Sequence, residues 1–86
     1  MNSQQSFFFY TMTFDRFYQD FIRSFNEDNK GQRMGQFFMN QLAGVNVELY
    51  RAVPPDLDPY YNDKLLNSTM EWVADRWAMY NQDNVS

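Results

Sequence analysis

Phe14, Phe17, Tyr18, Phe21, Ile22 and Phe25 follow one another at steps of three and four, which places six large side chains on one side of an α-helix. The pattern predicts a helix over residues 14–26, with Thr13 capping its first free amides and Asp15 near its positive end. Asp20 and Arg23 pair on its outer side, and residues 26–31 read as a loop. A second helix is expected over residues 32–43, with Met34, Phe37, Phe38 and Leu42 inward. Gly44 suits the left-handed position that ends a helix, with Val45 folding back over Met39 or Leu42. Gly35 weakens this helix and so marks a close approach by another backbone or a ring; with Gly31 it also makes a G-x-x-x-G spacing, a weak signal in this setting. Asn46 caps a short third helix reaching Val53, with Val45 and Tyr50 as a hydrophobic staple and Pro54 and Pro55 as its stop. Residues 56–63 form a polar, turn-rich connection. The last helix is expected over residues 65–81, where Leu66, Met70, Val73, Trp77 and Tyr80 make one stripe. Trp72 falls about 120° from Leu66, at the boundary, with Arg76 one turn on to lie over its ring.

These elements predict an all-α fold, a small compact bundle of three longer helices plus one short one, formed by residues 12–82. Residues 83–86 are expected to fray. Residues 1–11 have two readings: an N-terminal arm, extended or disordered, whose Phe7, Phe8, Phe9 and Tyr10 pack on the bundle, or a segment upstream of a biological start at Met12.

Composition changes the picture in two ways. Folding a chain of 86 residues buries about 60–65% of its unfolded surface, so stability leans on the 20% of residues that are Phe, Tyr or Trp. The chain has neither cysteine nor histidine, which removes disulfides, thiolate metal sites and every Ser-His or Cys-His arrangement. A net charge of -4, from 11 acidic and 7 basic residues, argues against direct binding of a nucleic-acid backbone. The run from Phe7 to Tyr10 is far shorter than the ~20 residues that span a bilayer, and no secretory signal pattern precedes it, so the expected setting is the cytoplasm, without membrane partners.

Candidate chemistry is sparse. Asp56, Asp58, Asn62 and Asp63 offer oxygen ligands of the kind a divalent cation takes, but without the glycine and closing glutamate of an EF-hand loop; turn formation and helix capping are the competing roles. Asp58 and Asp63 are the only carboxylate pair worth naming for acid–base work, and a bundle this small rarely encloses the pocket that such a pair needs. Gln41 lies near the middle of the second helix's apolar stripe, as an amide bonded to a loop or set at the base of a groove, with Arg33, Gln36 and Asn40 beside it. Tyr60, Tyr61, Trp72, Met39 and Met79 fall at or outside the core edge, and with Arg76 they nominate a partner-binding surface around Trp72 and Tyr61.

Arg33-Met34-Gly35-Gln36 with Asn40 and Leu42, then residues 57–63, then Glu71-Trp72-Val73, resemble a group of small bacterial and bacteriophage proteins that carry no assigned activity. The likeness covers about half the chain. It implies an accessory protein of bacterial or phage origin, working in the host cytoplasm if phage-encoded, and points to Arg33, Gly35, Gln36, Asn40, Asp58, Pro59 and Tyr60. The expected function is non-enzymatic protein binding, as an accessory or inhibitor protein without cofactor. The alternatives are a self-assembling virion or structural component, which would make the chain a homo-oligomer, an acidic nucleic-acid mimic, and a divalent-cation-binding domain.

Overall fold

The computed structural model describes residues 12–81, with side chains described through Tyr80. Phe7 to Tyr10 and the tail from Gln82 lie outside the described residues. Among the described residues the fold is all-α, with four α-helices and no strand. Helix α1 is Phe14–Glu27, one residue longer than the periodicity predicts. Thr13 Oγ1 accepts from the Arg16 amide at 3.1 Å, and Asp15 lies in the first turn. Asp28 ends α1 in extended conformation while its backbone N–H still donates to Ser24 O. The side chains of Asp28 and Asn29 then accept from the amides of Lys30 and Gly31, supporting two successive residues with φ of 55° and 75°. Lys30 carries the strain of a left-handed side-chain-bearing residue, and Gly31 does not.

Helix α2 is Met34–Val45, displaced by two residues at both ends from the predicted 32–43. Arg33 is its cap residue, and Phe37 N donates to Arg33 O, so Gln32 and Arg33 stay outside. At the other end Gly44 remains helical, with no positive φ, and Val45 is 42% exposed instead of folding back over Met39 or Leu42. Asn46 is the reason. Its backbone N–H donates to Leu42 O at 2.8 Å, and its side-chain oxygen accepts from the Leu49 amide at 3.0 Å, so one extended residue ends α2 and starts α3, Val47–Ala52. Tyr50 is exposed like Val45, so no buried staple holds this junction; Leu49 is the buried anchor of α3. Val53 and Pro54 close α3, one residue before the predicted end. Two short 3-10 turns follow, Pro55–Leu57 and Asp63–Leu65, and α4 is Leu66–Asn81.

The core is an assembly of rings, several of them in edge-to-face contact. Phe17 and Phe21 of α1 meet Phe38 of α2 at centroid distances of 5.6 and 5.3 Å and interplanar angles of 72° and 84°, a geometry that sets a ring's positive edge against the negative face of its neighbour. Phe25 meets Phe37 in the same way at 5.4 Å, and Trp77 of α4 closes on Phe14 and Phe17. Of the six stripe residues only Phe17 and Phe21 are fully buried; Phe14, Tyr18, Ile22 and Phe25 are half-buried flanks. Helix α2 packs against α1, α3 and the Asp63–Leu65 turn, which buries Met39 as well as Phe38 and Leu42 and leaves Gln41 half-buried. Met39 therefore belongs to the core, not to its edge.

Two polar contacts tie α4 to distant chain. Thr69 is fully buried, and its hydroxyl reaches Leu65 O at 2.8 Å and also Leu57 O; one proton serves one carbonyl at a time. Trp77 Nε1 donates to Met12 O at 2.7 Å, so the chain is held at the residue that precedes the Thr13 cap.

Replacing Phe38 with alanine removes the ring that both Phe17 and Phe21 abut, and urea unfolding should register a loss of about 3–5 kcal/mol, against a clearly smaller loss for the half-buried Phe25→Ala. A second test concerns Asp20, whose carboxyl sits 2.6 Å from Arg23 and 3.4 Å from Arg16 on the outer face of α1. The Arg23 hydrogen bond holds its pKa below the ordinary 3.8, so the pair's stabilisation is present above that value and fades as pH falls through the lowered one. Thermal unfolding of Asp20→Asn should therefore show a small deficit near neutral pH that closes in acid.

Candidate functional site

Residues 58–63 are fastened to the start of α2. No side chain of the Arg33 cap residue satisfies the first amides of the helix. Asp63 does so from 28 positions away, its Oδ1 accepting from Gly35 N at 2.9 Å. A carboxylate there meets both a donor without an intrahelical acceptor and the positive end of the helix dipole, together worth about 0.5–2 kcal/mol. Arg33 then reaches across the junction, donating from Nη2 to Tyr60 O at 2.6 Å with its Nε 3.8 Å from Asp63 Oδ1. Gln36 Nε2 donates to the Tyr60 hydroxyl at 3.1 Å. Pro59 is buried directly over Gly35, where an added Cβ would overlap the Pro59 carbonyl oxygen and stand 2.8 Å from Asp63 Oδ1. The close approach expected at Gly35 is thus to a loop backbone.

The loop is itself held by local bonds. Asp58 Oδ1 accepts from Tyr60 N at 2.9 Å, and Asn62 Oδ1 accepts from Lys64 N at 3.0 Å. Of the four oxygen-bearing side chains considered for a cation, Asp58, Asn62 and Asp63 therefore serve backbone amides, and Asp56 is exposed in the first turn of Pro55–Leu57. Among the described residues no three acidic side chains come together in a metal-binding arrangement. Asp58 and Asp63 act on different amides.

The positions carried by the resemblance divide the same way. Arg33, Gly35, Gln36, Asp58, Pro59 and Tyr60 belong to this junction, whereas Asn40 lies apart from it, donating to Gln32 Oε1 at 3.2 Å.

The nominated contact residues fall into two local groups. Tyr60 and Tyr61 meet edge to face at 4.8 Å; Tyr60 is half-buried, while Tyr61 is 86% exposed. On α4 the Arg76 guanidinium lies 4.3 Å from the centre of the Trp72 ring and donates to Trp72 O at 3.2 Å. Trp72 is half-buried against the core, and Met79, one turn beyond Arg76 on the same side of the helix, is 62% exposed.

Gln41 is not a core residue. It lines a shallow cavity of about 220 Å³ with Lys30, Gln32, Phe37 and Asn40. Lys30 and Gln32 carry no local pattern that singles them out; the left-handed turn at Lys30 and Gly31 brings them there. Among the described residues no helix is long and apolar enough to cross a membrane. Comparison of the chain with protein-family models, with curated proteins and with solved structures finds no match.

Gly35→Ala sets a gain of about 1 kcal/mol in helix propensity against overlap with a backbone that cannot turn aside, so chemical denaturation should show a net loss of about 1–3 kcal/mol. Asp63→Ala should cost about 1–2 kcal/mol and Asp63→Asn less, since the amide oxygen can still accept from Gly35.

Proposed function

We propose that this chain is a non-enzymatic accessory or inhibitor protein, bacterial or phage-encoded and acting in the bacterial cytoplasm, that binds a protein partner through Tyr60, Tyr61, Trp72, Arg76 and Met79. The observation that carries the reading is the Tyr61 ring, 86% exposed on a loop that Asp63, Arg33 and Pro59 fix to α2. A large ring held out on fixed backbone loses little conformational freedom when a partner covers it, which is why aromatic side chains recur among the residues that dominate binding energy. Trp72 beneath Arg76 supports the same reading, because a guanidinium stacked on indole offers a partner a flat, weakly hydrated surface with N–H donors beyond the one given to Trp72 O. Met79 adds an adaptable apolar contact. The residues that approach one another most closely in the loop serve the fold, so the work assigned to this surface is contact, not chemistry.

Affinity capture from bacterial lysate should recover a partner with the parent chain and with Val47→Ala, and lose it with Tyr61→Ala and with Trp72→Ala. Equal recovery by all four proteins would discard the surface.

A further inference from the structure

The cavity at the α1–α2 turn is not part of the proposed contact surface, and the one charged side chain in its lining is a cation. Lys30 supplies an ammonium that has no ion-pair partner among the described residues. Gln32 Oε1 is taken up by the Asn40 amide, which leaves the Gln32 NH2 group free to donate. The Gln41 side-chain amide makes no hydrogen bond among the described residues and is half-buried at the cavity wall. Phe37, nearly buried, closes the floor with carbon. The nearest acid in sequence, Asp28, does not line the cavity, and its carboxylate accepts from the Lys30 amide.

One cation, two uncommitted amide NH2 groups and an aromatic floor are complementary to a single carboxylate carried on a short apolar body. The carboxylate takes the hydrogen bonds and the charge, and the apolar part covers the ring. A cavity of about 220 Å³, open on one side, has room for one such unit. The turn that carries Lys30 is shaped in advance, since Asp28 and Asn29 hold the backbone of Lys30 and Gly31 at positive φ and so limit the loop freedom that binding would remove.

The geometry points to a carboxylate-binding site formed by Lys30, Gln32, Gln41 and Phe37. Its ligand is either a free short-chain acid or the C-terminal residue of a peptide ending in an apolar side chain; the two share the same chemistry. Two-dimensional 15N NMR of the full chain, titrated separately with butyrate, N-acetyl-glycyl-leucine acid and the C-terminal amide of that peptide, tests it. Saturable shifts are expected at the Gln32 and Gln41 side-chain NH2 groups and at the Gly31 amide, with the free acid or the peptide acid binding in the millimolar range or tighter and the amidated peptide at least about tenfold weaker. Tighter binding of the peptide acid than of butyrate identifies a chain terminus, and the reverse a free acid. Lys30→Met leaves a side chain of similar length in the same turn and should weaken acid binding about tenfold or more while the remaining spectrum is unchanged. The inference is overturned if neither acid gives saturable shifts at these groups, if the amidated peptide binds as well as its acid, or if Lys30→Met binds as the parent does.

Discussion

The fold turns on one contact, the Asp63 carboxylate against the Gly35 amide, with Pro59 resting on the glycine. Helix α2 cannot satisfy its own start. Arg33 offers no capping side chain, and first-turn amides have no acceptor within the helix. The solution comes from residues 58–63, which lie 23–28 positions beyond Gly35, and it works only because position 35 has no Cβ. Once that loop is fixed, the Asp63–Leu65 turn leads directly into α4, Thr69 ties the first turn of α4 back to Leu57, and Val73 and Trp77 are carried into the aromatic core. The polar junction at the loop and the ring assembly around Phe38 are therefore two parts of one closure. The first sets where α4 begins, and the second joins α1, α2 and α4 in the core.

This dependence explains what could be read from sequence and what could not. Helices α1 and α4 each bury one face, so their periodicity located both, down to the Thr13 cap and the placement of Arg76 over Trp72. Helix α2 is buried around more of its circumference, with Gly35, Phe37, Phe38, Met39 and Leu42 all inside, and a one-sided wheel misassigns such a helix. Met39, placed at the edge, is core, and Gln41, placed inward, lines an open cavity. Its ends went astray for a related reason. Local signals favoured Gly44 as a stop, but Asn46 satisfies both α2 and α3 at once, and a residue that serves two helices removes the need for a left-handed glycine. The cap from Asp63 has no local signature at all. Only the cost of Gly35 inside a helix hinted that something must come close.

The candidate sites were legible to a different degree. Exposure of Tyr61 and Met79 follows from loop and helix position, whereas the use of Asp58, Asn62 and Asp63 as backbone acceptors emerges only when the chain is folded. An acidic, turn-rich segment reads alike whether its oxygens face a cation or amides, because Asx turns and oxygen-rich metal loops draw on the same residues. The same ambiguity covers Gln41, whose amide could have met a loop backbone; instead it lines a cavity with Lys30, Gln32, Phe37 and Asn40 beside the left-handed turn at Lys30 and Gly31.

Hydrogen exchange at the Gly35 amide reads out whether the loop and the start of α2 open together. An amide in the first turn of a helix exchanges readily unless something outside the helix accepts from it, so protection at Gly35 reports the Asp63 contact and little else. Gly35 is expected to exchange as slowly as the Leu42 amide, which lies well inside α2, through the same global opening, while the neighbouring Gln36 amide exchanges much faster. Exchange at Gly35 as fast as at Gln36 would contradict this, because the loop would then open independently of the core and could not be what sets the start of α2 and α4.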